Sequence, residues 1–193
     1  MSIRVSDALR VMYPDSLRHV PQEALDRGTR LHLEMEIFFR NQQQGCDHTF
    51  SDDLTECDLI RVRSVMQWCR EQQLVGEFLE ERYDHRYGFI GHPDFVGTWN
   101  GYPWTIDWKF AETVTEANYV QGEVYRYLTN RPVALVQCRS DATIRVYRLK
   151  PRPDLWARFL EGFHQFSHQQ REMQQSINSV NAQEVVQTLW NNI

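Results

Sequence analysis

The chain has 193 residues, 41% hydrophobic and 24% charged, the composition of an ordinary folded domain rather than of a disordered, fibrous or disulfide-scaffold chain. Its 26 acidic and 21 basic side chains give a formal net charge of −5, which excludes a protein that coats nucleic acid through overall positive charge. No run approaches the roughly 18 consecutive apolar residues that span a bilayer, and the N-terminus lacks a signal-peptide pattern, so the expectation is a cytoplasmic chain with no membrane partner. A chain of this length buries roughly 70% of its unfolded surface, enough for one domain over residues 1–193 that needs no metal or disulfide as a staple. Cys46, Cys57, Cys69 and Cys138 form no CxxC pair and no zinc-ribbon spacing, and are expected as free thiols. Lysine occurs only at Lys109 and Lys150, so arginine, the side chain suited to forked phosphate contacts, supplies the rest of the positive charge.

Pro21 to Arg40 predicts a helix with Leu31, Met35 and Phe38 on its apolar face, and Gly28 within it suggests close packing. Gln42, Gln43, Gln44 and Gly45 are expected as a loop. Glu56 to Leu74 predicts a second helix, with Leu59, Val62, Met66 and Cys69 on one stripe. The period then changes: Glu80 to Phe110 is alternating and aromatic-rich, and Asn100-Gly101 is a strong hairpin signal. Thr115 to Leu128 predicts a helix, Pro132 to Arg139 a buried strand and Thr143 to Leu149 an alternating strand. A late amphipathic helix carries Trp156, Phe159, Leu160, Phe163 and Phe166. The polar stretch Gln169 to Ser179 is expected as a loop, followed by a short terminal helix with Val185, Val186, Leu189 and Trp190 packing back. The expected division is a helical part over 1–78, a sheet and helix over 79–150, and C-terminal helices over 151–193.

A two-residue turn at Asn100-Gly101 sets Asp94 across from Asp107 and His92 across from Lys109. Alternation then puts His92, Asp94, Val96, Thr98, Thr105, Asp107 and Lys109 on one face. The other face holds Phe95, Trp99, Tyr102, Trp104, Ile106 and Trp108. The first face reads as a polar site and the second as core. Opposed carboxylates repel unless a proton or cation lies between them. Hard oxygen ligands on two strands, with room for water and phosphate oxygens, suit magnesium or manganese better than a closed zinc site. Lys109 on the same face is placed to orient a water and stabilise charge on a phosphate. Gln121 and Tyr125, spaced i, i+4, share one face of the following helix, and His32 lies one turn beyond Gly28 on the first.

Gly28 with His32, Gly91-His92-Pro93-Asp94, Asp107-Trp108-Lys109 and Gln121 with Tyr125 stand in this order along residues 25 to 130. In this the chain resembles the RecB-like branch of the PD-(D/E)XK nucleases, and its size is similar to that of compact phage or CRISPR-associated exonucleases. The resemblance implies an α/β (α+β) fold with a restriction-endonuclease-like core, a central mixed sheet of about five strands flanked by helices. It also implies that Asp94, Asp107, the Trp108 carbonyl and His32 hold one or two Mg2+ or Mn2+ ions. Lys109 would assist the attacking water, and Gln121 and Tyr125 would line the DNA path. The last cysteine is Cys138, away from the C-terminus, so no iron–sulfur cluster is expected.

Other groups are weaker candidates. His92, Glu36, Glu80 and Glu81 stand near enough in sequence to support the site, and Arg27, Arg30, Arg61, Arg63, Arg126 and Arg131 are candidates for phosphate contacts. His19, His48, His85, His164 and His168 are expected as surface or packing residues. The function this predicts is a metal-dependent deoxyribonuclease of bacterial or phage DNA recombination and repair. It would hydrolyse phosphodiester bonds by metal-activated water at linear or single-stranded ends, alone or as a homo-oligomer or with a partner protein. The rivals are a structure-specific endonuclease of the same fold and a catalytically silent nucleic-acid- or protein-binding module.

Overall fold

The computed structural model describes residues 3–16, 20–78 and 82–190. In chain order the elements are β1 (Ile3–Arg4), α1 (Val5–Met12), a 3-10 turn (Pro14–Ser16), α2 (Gln22–Gln44), α3 (Glu56–Glu71), β2 (Leu74–Phe78), β3 (Tyr83–Asp84) and β4 (Phe89–Gly91). They continue as β5 (Phe95–Trp99), β6 (Tyr102–Lys109), α4 (Glu116–Thr129), β7 (Val133–Cys138), β8 (Ile144–Arg148) and α5 (Pro153–Trp190). Among them is a mixed sheet of five strands in the order β2-β5-β6-β7-β8. Its one parallel pair is β6–β7, and α4 supplies the crossover that parallel neighbours require. A small sheet, β1-β4-β3, lies beside it.

Asn100 and Gly101 take φ of 49° and 79°, the left-handed pair that a type I′ turn needs. The hairpin register follows as expected, with Phe95 against Ile106, Val96 against Thr105 and Trp99 against Tyr102. One side of the sheet carries a core built from Leu31, Met35 and Phe39 of α2, Val62 and Met66 of α3, and Phe95, Ile106 and Trp108 of the hairpin. Tyr102 is the exception on this face, 71% exposed because it stands at the turn. A second core joins Val5 and Leu9 of α1, Phe89 of β4, Val120 and Val124 of α4, and Phe159 and Phe163 of α5. The predicted stripe of the late helix packs there.

Several boundaries differ from the sequence expectation. α2 runs on through Gln42, Gln43 and Gln44 to a left-handed Gly45, because the amides of Gln42 and Gln43 donate to the Leu74 and Gly76 carbonyls at 3.3 and 2.7 Å. Leu74 opens β2 rather than closing α3, since Gln73 turns the chain at φ 52°. The first 78 residues are therefore not wholly helical. α1 has no counterpart in the sequence pattern: eight residues are too short for a periodic signal, and tertiary packing of Val5, Ala8 and Leu9 sustains it. Gln169 to Ser179 is no loop; the backbone of α5 is continuous to Trp190, as a stretch rich in good helix formers and free of Gly and Pro permits. The side chains of Val185, Val186, Leu189 and Trp190 lie outside the described residues. All four cysteines are free, Cys46 and Cys57 exposed, Cys69 and Cys138 buried.

Gly28 is not at a close approach. A Cβ built there meets nothing within 4 Å, whereas one on Gly97 would stand 2.2 Å from the Val75 carbonyl oxygen. Gly28→Ala is therefore expected to stabilise the protein by about 1 kcal/mol, the ordinary gain of Ala over Gly inside a helix. Gly97→Ala, which forces β2 away from β5, is expected to cost about 2 kcal/mol. Urea melts of the two variants check the opposite signs.

Candidate active site

Lys109 pairs with Gln137 at the carboxyl end of the parallel strands β6 and β7, where open α/β sheets place their ligands. The hairpin ladder stops at Phe95 and Ile106, so Asp94 sits in the bend just before β5. It remains tied to the opposite strand: its Oδ2 accepts a 2.7 Å hydrogen bond from the Trp108 peptide N–H. His92 lies outside the strand, not across from Lys109 as expected. It contributes its carbonyl, which accepts from the Tyr125 hydroxyl at 3.1 Å.

Around Asp94 and Asp107 the predicted residues come together. His32 Nδ1 stands 3.1 Å from Asp94 Oδ2, and the imidazole is held edge-on against Phe110 with ring centres 5.6 Å apart. Lys109 Nζ lies 2.5 Å from Asp107 Oδ2 and donates to Gln121 Oε1 at 2.9 Å. Gln121 Nε2 donates in turn to the Tyr125 hydroxyl at 3.0 Å. Gly91 makes this closure feasible, since a Cβ there would lie 3.1 Å from Tyr125 Cε1 and 2.4 Å from Leu128 Cδ1. Lys109, Gln121, Tyr125 and the His92 carbonyl thus form one continuous line of donors and acceptors. Phe110, which fixes the His32 ring, was not singled out from sequence; an aromatic beside the last strand residue carries no signal of its own.

The two carboxyls are driven apart electrostatically. Burial raises the Asp107 pKa to about 6, and repulsion from Asp94 adds to this against the attraction of Lys109. Burial would also raise Asp94, but His32, Lys109 and the Trp108 N–H overcome it and hold Asp94 below the ordinary value. For His32 burial opposes protonation, yet Asp94 outweighs it and the pKa is raised. Separated pKa values on neighbouring acids mark sites of acid–base or ligand chemistry.

Among the described residues, no three His, Cys, Asp or Glu side chains converge closely enough to hold a metal ion. His32 and Asp94 pair with each other, and Lys109 takes Asp107. The donor chemistry nonetheless fits a hard divalent cation. Asp107 Oδ2 is buried and, its ion pair with Lys109 aside, receives no hydrogen bond, and a second carboxylate and an imidazole nitrogen stand beside it.

The weaker candidates separate clearly. Glu36 pairs with Arg40 rather than His32. Arg61 donates to the Cys138 carbonyl at 2.7 Å, Arg126 to the Leu149 carbonyl at 2.6 Å and Arg131 to the Gly97 carbonyl at 3.0 Å, so these three hold the fold together. Arg27 and Arg30 lie 3.9 Å from Asp58 and Asp53, and Arg63 stacks on Phe50. His48 is a packing residue, bonded to Glu34 at 2.9 Å. Glu80 and Glu81 lie outside the described residues.

A mixed five-stranded sheet flanked by helices, with this acid and lysine cluster at the end of its parallel pair, defines a restriction-endonuclease-like fold. The crystal structure of an alkaline exonuclease (LHK-Exo) from Laribacter hongkongensis shares it, with a TM-score of 0.56 and 14% identity over 94% of both chains. The structure of LHK-Exo in complex with dAMP superposes with a TM-score of 0.49 and 15% identity over 87% of both chains. No family model and no curated protein matches the sequence. No helix among the described residues is long and apolar enough to cross a membrane.

Proposed function

We propose that residues 1–193 act as one metal-dependent deoxyribonuclease domain, an exonuclease that hydrolyses phosphodiester bonds at DNA ends. The observation that carries this reading is the closeness of Asp94 and Asp107 beyond the last hairpin pair, with Asp107 Oδ2 buried and, its ion pair with Lys109 aside, given no hydrogen bond. Asp94, Asp107, His32 and the Trp108 carbonyl are the ligands in this reading. A bound magnesium or manganese ion would supply Lewis-acid polarisation of the phosphate and a lower water pKa. The chain's own residues do the rest. Lys109, held by Gln121, presents a fixed positive charge to the phosphate as negative charge builds on it. Asp94, kept ionised, orients His32 through its Nδ1 and locks the Trp108 peptide. The exonuclease named for the fold neighbour supports action at ends rather than within strands.

End-labelled linear and closed circular single-stranded DNA, incubated with the protein in manganese, magnesium or EDTA, tests this reading. Metal-dependent loss of the linear DNA alone is expected. Opening of the circle would make the protein an endonuclease, and binding without cleavage under any divalent ion would make it a silent module.

A further inference from the structure

We propose that the tip of the β5–β6 hairpin and the end of strand β8, whose Arg148 reaches across to it, form a second nucleic-acid site, a platform on which unpaired bases of single-stranded DNA stack. The proposal rests on the reading of DNA as the substrate, but it concerns a surface that plays no part in the chemistry. Trp99, 3% exposed, backs the cluster from the core, the half-buried Trp104 lies with its ring centre 5.2 Å away, and Trp68 of α3 meets Trp99 edge-on at 5.5 Å. Over this cluster lies the Arg148 guanidinium, 4.5 Å from the Trp99 ring centre and 6.0 Å from that of Trp104.

Two clefts open on either side of Arg148. One, of about 300 Å³, is walled by Trp68, Gln72, Trp99 and Val146. The other, of about 450 Å³, is walled by Trp99, Tyr102, Pro103, Trp104 and Pro132. Tyr102 stands 71% exposed at the rim of the second. Among the described residues, Arg148 is the only charged side chain that lines either cleft, in a chain whose net charge is −5.

This chemistry selects its ligand. The exposed Tyr102 ring and the half-buried Trp104 and Trp68 beside a cation recognise flat rings joined by phosphates, and stacking is indifferent to which base is presented. An apolar protein surface pressed on the same cluster would bury Arg148 with no counter-charge, whereas a phosphate between two stacked bases supplies one. The platform also lies within reach of the site. Trp104 precedes Asp107 by three positions on β6, about 10 Å at the rise of a strand, and points to the opposite face of the sheet. A strand leaving the site would pass around the hairpin to reach it.

Fluorescence anisotropy of a labelled twenty-residue oligo(dT) in EDTA, where cleavage does not intervene, measures this binding. Tyr102→Ala and Trp104→Ala are each expected to weaken it about ten-fold, while Tyr102→Phe binds like the wild type. Arg148→Ala should lower the slope of log affinity against log salt by about one. Tyr102 and Arg148 are exposed, so their variants report on binding even where Trp104→Ala perturbs the fold. Wild-type affinity in the Tyr102→Ala and Arg148→Ala variants would overturn the proposal, as would failure of the wild type to bind oligo(dT). So would a change from dimer to monomer in Tyr102→Ala with oligo(dT) affinity unchanged, which would make the patch a self-association surface. A wild type that binds oligo(dT) through these residues but cleaves nothing would leave the platform standing and sink only the nuclease reading.

Discussion

Asp107→Asn should abolish cleavage while making the metal-free protein harder to melt at neutral pH. The loss follows from removing a charged ligand from the proposed cation site, and a decrease of at least ~10³-fold in kcat is expected where Lewis-acid stabilisation is worth several kcal/mol. The gain follows from burial. An Asp in an unfolded chain titrates near ~3.9, while burial, reinforced by Asp94 and opposed by Lys109, holds Asp107 at about 6 in the folded protein. Below the unfolded value both states are protonated and the group contributes nothing. As pH rises through the interval up to about 6 the unfolded chain loses its proton first, and folding stability falls. Above that interval the full cost of the buried charge remains, about 3 kcal/mol in order of magnitude. An amide carries no such charge, so Asp107→Asn should melt about 6–12 °C higher than the wild type at pH 7.5 without divalent ions. The difference should vanish near pH 3.5. A lower melting temperature at pH 7.5, or cleavage within ten-fold of wild type, would remove Asp107 from the role given to it.

Much of this site was legible because a hairpin is a local object. Asn100-Gly101 fixed the turn and the turn fixed the register as far as Phe95 and Ile106, which leaves Trp108 in the core and Asp94 one residue past the last pair, tied across by the Trp108 N–H. Gln121 and Tyr125 were equally legible, since helical spacing alone aligns them. What the sequence did not disclose depends on distant contacts. The continuation of α2 through three glutamines is decided by two carbonyls of β2, more than thirty residues away. Gly28 marks no close approach, because an open helix face and a crowded one look alike in sequence; crowded glycines include Gly91, Gly97, Gly122 and Gly162. Likewise nothing local said that His32 would face Asp94 rather than Glu36, which turned to Arg40.

The same limit bears on Gln121 and Tyr125, whose resemblance-based place is along the DNA path, whereas their contacts run to Lys109 and to the His92 carbonyl. If Gln121 acts by holding Lys109, its removal matters only while Lys109 is present. Lys109→Ala is expected to lower kcat about 10²–10³-fold, the scale on which fixed charges at a reacting group act. Gln121→Ala should lower kcat about ten-fold with KM for DNA unchanged, because an untethered ammonium still reaches the phosphate but spends less time aligned with it. The double variant Lys109→Ala/Gln121→Ala should then be no slower than Lys109→Ala alone, since two residues acting as a unit are not additive. Single-turnover rates on a short end-labelled duplex measure all three. Effects that multiply, or a raised KM in Gln121→Ala, would instead place Gln121 against the DNA itself. Tyr125→Phe sharpens the distinction, for it deletes the hydroxyl that receives Gln121 and donates to His92 while leaving Lys109 bonded to Gln121. Its effect should be smaller than that of Gln121→Ala and should also disappear in the Lys109→Ala background.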